Sequence, residues 1–271
     1  MEDLNPQRDH MADESMVRNL TAQAEAIWPQ EQALFHRYPL PAAPEILDAG
    51  CGTGEITLRL AELFPQARIL GVDVLDQHLE RARRRTAALG PRVRFENRSV
   101  YELRYPDAAF DLVVCRHLLQ AIPQTERVLR ELLRVARPGG TLHLISEDYG
   151  MMQFEPRRLD PDDFWRLGPV AFAKATGTDL RVGRKTYGYL RRLGVRNITV
   201  DYIIVDPLRV PRETFAAIWE AWRDGYASAV AEMVGVPEEQ IVAHFDDMIA
   251  TIRDPDGYGV WFVPVVAARV P

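Results

Sequence analysis

Between residues 45 and 146, short runs rich in Val, Ile and Leu alternate with stretches of helical period. The runs fall at 45–49, 68–72, 93–97, 110–115 and 141–146. The helical stretches fall at 54–64, 76–89 and 124–135, with a short turn at 99–103. Strands that alternate with helices demand a parallel sheet with helices on both faces, and a sheet so covered needs apolar strands rather than alternating ones. The best marked helix is 124–135, where Val128, Leu129, Leu132, Leu133 and Val135 share a face before Pro138-Gly139-Gly140 stops it. A doubly wound α/β fold is the expectation.

The first run ends in Asp48-Ala49-Gly50-Cys51-Gly52-Thr53-Gly54 and feeds the helical pattern from Glu55. Glycines allow a tight turn and a close ligand approach, and the helix start adds unpaired N–H groups. Such a cradle suits a nucleotide-type cofactor. The dinucleotide fingerprint fails, because the third glycine comes one residue early and Glu55 fills its slot, where a pyrophosphate would meet a carboxylate. No Gly-Lys-Ser/Thr follows, so the phosphate loop of nucleotide hydrolases fails too. Asp73 ends the second strand about 20 residues beyond the glycines, where a carboxylate accepts bonds from both hydroxyls of a ribose. A cofactor with a ribose and no phosphates is therefore expected.

Together, Asp48-to-Gly54, Asp73, Phe110-Asp111-Leu112-Val113-Val114-Cys115 and Arg137-Pro138-Gly139-Gly140 before Thr141 resemble class I S-adenosylmethionine-dependent methyltransferases, in the group of ubiquinone and menaquinone biosynthesis. The resemblance covers residues 45–147. It implies a mostly parallel seven-stranded sheet whose last strand is antiparallel. It implies S-adenosyl-L-methionine as cofactor, with Gly50, Cys51, Gly52 and Gly54 along the methionine portion and Asp48 orienting the loop and the amino group. Asp73 would hold the ribose and Val74 would pack on the adenine. Where the family usually shows an Asp for the adenine amine, this chain has Ser99, followed by Val100. Cys115 would offer its backbone carbonyl to the ammonium group. No metal is implied.

Beyond residue 150 the alternation breaks, and the expected layout is a helical cap (1–44), a cofactor-binding core (45–149), lid insertions (150–177 and 207–253) and core segments (178–206 and 254–271). The N-terminal stretch 14–38 reads as one or two helices bent at Pro29. The acceptor belongs outside the carboxyl ends of the strands. His117, Glu147 and Asp148 are the candidate catalytic residues, His117 first because an imidazole titrates near neutral pH. Glu147 and Asp148 are adjacent, so on an extended backbone they face opposite sides. Arg116, Gln120, Tyr149, Trp28, Trp219 and Trp222 are the candidate acceptor contacts, and Phe154, Phe164 and Trp165 are further lid aromatics. His143, inside the fifth strand, is expected to be a satisfied core residue.

The formal charge of −6 disfavours a nucleic-acid partner. The run at Arg81, Arg83, Arg84 and Arg85 reads as a solvated helix face. Cys51 and Cys115 alone fit a reducing, cytoplasmic setting without disulfides, and no apolar run suggests a membrane partner. A small apolar or aromatic metabolite is the expected substrate. Helices outside the sheet leave a homodimer open. The alternatives are a protein or RNA methyltransferase, or a non-catalytic protein that binds S-adenosylmethionine.

Overall fold

The computed structural model describes residues 4–271. A short α1 (Arg8–Met11) precedes α2 (Glu14–Phe35), which runs unbroken through Pro29. Pro29 and Glu25, whose carbonyl loses its helical partner, both lie on the exposed side, which leaves that carbonyl to water. Then follow β1 (Glu45–Ala49), α3 (Glu55–Leu63), β2 (Arg68–Asp73), α4 (Asp76–Arg85), β3 (Val93–Asn97), β4 (Phe110–Arg116), α5 (Thr125–Val135) and β5 (Ala136–Ile145). The α4 helix ends earlier than expected, where Thr86 Oγ1 donates to the Ala82 carbonyl at 2.9 Å and a 3-10 turn (Ala87–Arg92) takes over. Residues 99–103 form no helix.

The second half holds β6 (Met152–Glu155), α6 (Pro161–Leu167), α7 (Pro169–Thr176), α8 (Gly183–Arg192), β7 (Asn197–Val205), α9 (Arg212–Val234), α10 (Glu238–Arg253) and β8 (Tyr258–Arg269). The side chain of Trp165 lies outside the described residues.

The strands form one sheet in the order β3-β2-β1-β4-β5-β8-β6, with β7 on the other side of β8. From β3 to β5 neighbours are parallel, and β8 is antiparallel to β5, β6 and β7. The sheet has eight strands rather than seven. The addition, β6, lies in the segment after β5 and pairs with the first half of β8, while β5 pairs with its second half.

Alternate strand residues divide between two cores. Leu47, Ala49, Val113 and Cys115 face α5 and α8, whereas Ile46, Leu112 and Val114 face α3, α4 and the C-terminal part of α2. A third apolar cluster joins α2 to α9, α10 and the outer strands, around the fully buried Trp219 and Trp261. Strand order reverses between β1 and β4. In a doubly wound sheet the crevice at the carboxyl ends of those two strands is the ligand position.

Candidate functional site

Two adjoining cavities open at that crevice, with volumes of about 1030 Å³ on the glycine-loop side and about 870 Å³ on the lid side. The loop turns through Gly50 (φ 76°) and Gly52 (φ 51°), a region that costs an L side chain about 1–2 kcal/mol. A Cβ on Gly50 would stand 2.8 Å from Leu118 Cδ2, and one on Gly52 would stand 3.1 Å from Leu20 Cδ1 of α2. The N-terminal helix therefore packs directly over the loop.

Asp73 ties the loop to the second strand. Its Oδ2 accepts the Gly52 N–H at 2.9 Å and its Oδ1 accepts the Leu75 N–H at 3.0 Å. Both oxygens are thereby fixed at the cavity wall, and each keeps further lone pairs. Asp48 is buried and accepts from Thr57 Oγ1 at 2.6 Å, and burial raises its pKa from 3.8 to about 6. Gly50, Cys51, Gly52, Val74, Ser99 and Val100 complete the expected lining on this side, and Arg116, expected at the acceptor, lines this cavity instead. Ser99 Oγ also accepts the Tyr101 N–H, at 3.3 Å. Burial pushes the Cys51 thiol well above its usual range, which leaves it protonated and unreactive.

Glu55 stands where α3 begins. Thr21 donates to it at 2.8 Å, and Arg59 and Arg85 pair with it at 2.7 and 2.6 Å. Arg85 belongs to the run expected to be a solvated face. Instead its guanidinium crosses to Glu55 and to the Thr53 carbonyl, 2.7 Å away.

His117 follows β4 with φ 52° and lines both cavities. Its backbone N–H donates to the Ile145 carbonyl at 2.9 Å, which pins the ends of β4 and β5 together. Nδ1 lies 2.6 Å from Glu147 Oε1, and Gln23 Nε2 of α2 donates to the same oxygen at 3.2 Å. The other ring nitrogen, Nε2, is buried with no partner among the described residues. A histidine oriented by a carboxylate, with its second nitrogen unspent, has the arrangement of a general base.

The lid-side cavity is walled by Met16, Met152, Phe164, Phe172, Trp219, Trp222, Val230 and Phe245, with Gln120, Glu147 and Tyr149 as polar members. Burial and the charge of Glu147 push the Tyr149 phenol well above its ordinary pKa. Trp222 meets Tyr149 edge-on at 4.9 Å and Trp219 at 5.1 Å.

Three expected site residues stand elsewhere. Asp148 lines neither cavity: it is fully buried, holds Arg184 through two oxygens at 2.5 and 2.6 Å, and accepts the Gly150 N–H. Adjacent residues on extended backbone point to opposite sides, and Glu147 took the inward one. Trp28 packs on Phe35 at 5.7 Å, on the α3 side of the sheet and away from both cavities. Gly54 sits behind the loop, where a Cβ would be 2.8 Å from Ala82 Cβ, so it allows α3 and α4 to close up. The Cys115 side chain is buried in the α5-side core, which leaves the expected role of its backbone carbonyl untouched.

The sequence placed a helical cap over the site but did not single out the residues through which α2 contributes. Asn19, Leu20 and Gln23 line the lid-side cavity, and Leu20 and Gln23 reach the other as well. Glu31 is fully buried, pairs with Arg116 at 2.7 Å and hydrogen-bonds His143 Nε2 at 2.9 Å. Burial raises the Glu31 pKa, but the Arg116 charge and His143 outweigh it and hold the carboxyl below its usual range. His143 is a core residue as expected, its Nδ1 bonded to Tyr38 Oη at 2.7 Å.

Residues 46–140 match a family model described as a methyltransferase domain. Over 108 residues the chain is 40% identical to 27-O-demethylrifamycin SV methyltransferase of Amycolatopsis mediterranei, an alignment covering 39% of each chain. Over 101 residues it is 38% identical to demethylmenaquinone methyltransferase of Deinococcus radiodurans, covering 37% of this chain and 42% of that one. The matched segment thus spans about two fifths of these relatives' length. Among solved structures, a phosphoethanolamine N-methyltransferase of Haemonchus contortus in complex with S-adenosyl-L-methionine superposes with a TM-score of 0.62 at 17% identity, over 100% of this chain and 60% of that one. The [4+2]-cyclase SpnF superposes with a TM-score of 0.56 at 24% identity, over 89% and 80%. These neighbours share the Rossmann-like methyltransferase fold.

Proposed function

We propose that this protein, whose residues 46–140 match a methyltransferase-domain model, transfers a methyl group from S-adenosylmethionine to a small, largely apolar molecule. The observation that carries the reading is His117, shared by both cavities, with Glu147 on one nitrogen and the other unpartnered. The residues of the loop-side cavity fit the cofactor. Asp73 offers two fixed oxygens to a ribose diol, and Asp48 and Glu55 bring acidity where a cationic ligand gains and a diphosphate loses. When bound, S-adenosylmethionine supplies an electrophilic methyl on a sulfonium centre.

The chain's own residues do the rest. The lid-side wall aligns the acceptor and excludes water, which raises the effective concentration of the reacting pair. His117 Nε2 takes the acceptor's proton, while Glu147 fixes the orientation of the ring. Segments 1–44, 150–177 and 207–253 act as the roof, since α2, α6, α7, α9 and α10 contribute most of that wall. The relatives' names point to unrelated acceptors, so none is carried over.

Photochemical cross-linking with methyl-labelled S-adenosylmethionine tests the donor side. Label is expected in a peptide from residues 48–55, 73–75 or 98–101, and competition by S-adenosylhomocysteine should remove it. Absence of competed label would sink the proposal.

A further inference from the structure

The two cavities differ in charge. The loop-side cavity carries Asp48, Glu55 and Asp73 together with Arg98 and Arg116. Among the described residues, no lysine or arginine lines the lid-side cavity, and Glu147 is its only carboxylate. An anion entering it would give up hydration for apolar walls and a like charge, a loss that nothing there returns.

Among the described residues, the unpartnered buried polar atoms of its lining are mostly acceptors. Asn19 and Gln120 line the cavity, are 5% and 4% exposed, and their Oδ1 and Oε1 have no protein partner. Both atoms only accept hydrogen bonds, as does an unprotonated His117 Nε2. One lining donor, Trp219 Nε1, is likewise buried without a partner. Buried acceptors without partners are costly, and a ligand that donates to them recovers the cost.

We infer that the acceptor is an uncharged, largely apolar ring compound carrying at least two hydroxyl groups, one methylated on oxygen beside His117 and another donating to Asn19 or Gln120. The inference rests on the methyl-transfer reading for the chemistry and on the cavity alone for the ligand class. The hydroxyl oxygen forms the new C–O bond with a lone pair, the C–S bonding pair stays with sulfur, and the O–H proton passes to His117 Nε2 and on to solvent. A methyl ether and the neutral thioether result. A base poised on the acceptor suits oxygen, because a neutral hydroxyl is a weak nucleophile until its proton leaves.

Trp219 and Trp222 make binding visible as fluorescence quenching. The full chain is titrated with dihydroxynaphthalene, dihydroxyanthraquinone and estradiol, and with hydroxynaphthoate, anthraquinone carboxylate and estradiol sulfate as anionic counterparts. At least one diol is expected to bind about tenfold or more tighter than its anion. Gln120→Leu or Asn19→Leu should weaken that diol about tenfold and leave its dimethyl ether unchanged. Equal or tighter binding of the anions, no binding of any diol, or loss of diol and ether together in both variants overturns the inference. Calorimetry with S-adenosylhomocysteine on the same protein separates the two readings: its failure with diol selectivity intact overturns methyl transfer alone, and the reverse overturns this inference alone.

Discussion

His117 Nδ1 lies 2.6 Å from Glu147 Oε1 across the junction of the two cavities, a contact made between the end of β4 and the residues after β5. Two strands that are neighbours in the sheet thus deliver an imidazole and the carboxylate that orients it from positions 30 residues apart.

Once an acceptor is in hand, His117→Asn should lower turnover by about a hundredfold to ten-thousandfold with cofactor affinity unchanged. Asn tolerates the φ of 52° that His117 adopts, so the fold should survive. Glu147→Gln should lower turnover less, because the ring keeps its nitrogen and loses only the carboxylate that orients it. Steady-state kinetics across pH check both. Unchanged turnover in His117→Asn would remove His117 from the chemistry.

Asp48 gives a pH dependence whose sign follows from burial. Its folded pKa is raised from 3.8 to about 6, so the folded state holds that proton more tightly than the unfolded chain does. The contribution to stability is full below about pH 4 and is lost as pH rises through about 6, a difference of about 3 kcal/mol. Denaturant unfolding at a series of pH values should show Asp48→Asn flattening that decline. An Asp48→Asn curve parallel to the wild type would contradict it.

Gly54→Ala should be destabilising without touching either cavity. The residue has φ 76°, and the new Cβ would meet Ala82 Cβ at 2.8 Å. The backbone conformation costs about 1–2 kcal/mol, and the overlap adds about 1–3 kcal/mol. A lowered urea midpoint with an unchanged slope is the expected result.

Glu31→Gln should cost about 3–5 kcal/mol, because it leaves the Arg116 guanidinium buried without its counter-charge. Restoring the balance with Arg116→Met in the same chain should recover part of the loss. A double-mutant cycle by chemical denaturation measures the coupling.

Strand β1 has the bounds that its apolar run dictates, because a strand buried on both faces writes itself as a continuous run. The β6 strand does not. Met152–Glu155 is a mixed stretch that becomes a strand only by pairing with β8, about a hundred residues later, and no local pattern reports such a partner. The glycine loop, Asp73 and His117 were legible because the fold forces the site to strand ends. Gln23 and Glu31 were not. They sit on an amphipathic helix among ordinary polar residues, and they acquire meaning only when folding brings them to Glu147 and His143, 124 and 112 residues away. Periodicity could tell that Glu147 and Asp148 face apart, but not which faces inward. That choice rests on Arg184, whose guanidinium captures Asp148.

The central claim is that the loop-side cavity binds the cofactor through Asp73. Calorimetric titration of S-adenosylhomocysteine into the wild type and Asp73→Ala tests it most directly. The account predicts stoichiometric binding to the wild type and a loss of about tenfold or more in the variant, since two backbone N–H groups and the ribose all lose the carboxylate. No binding to the wild type, or equal binding to both proteins, would contradict it.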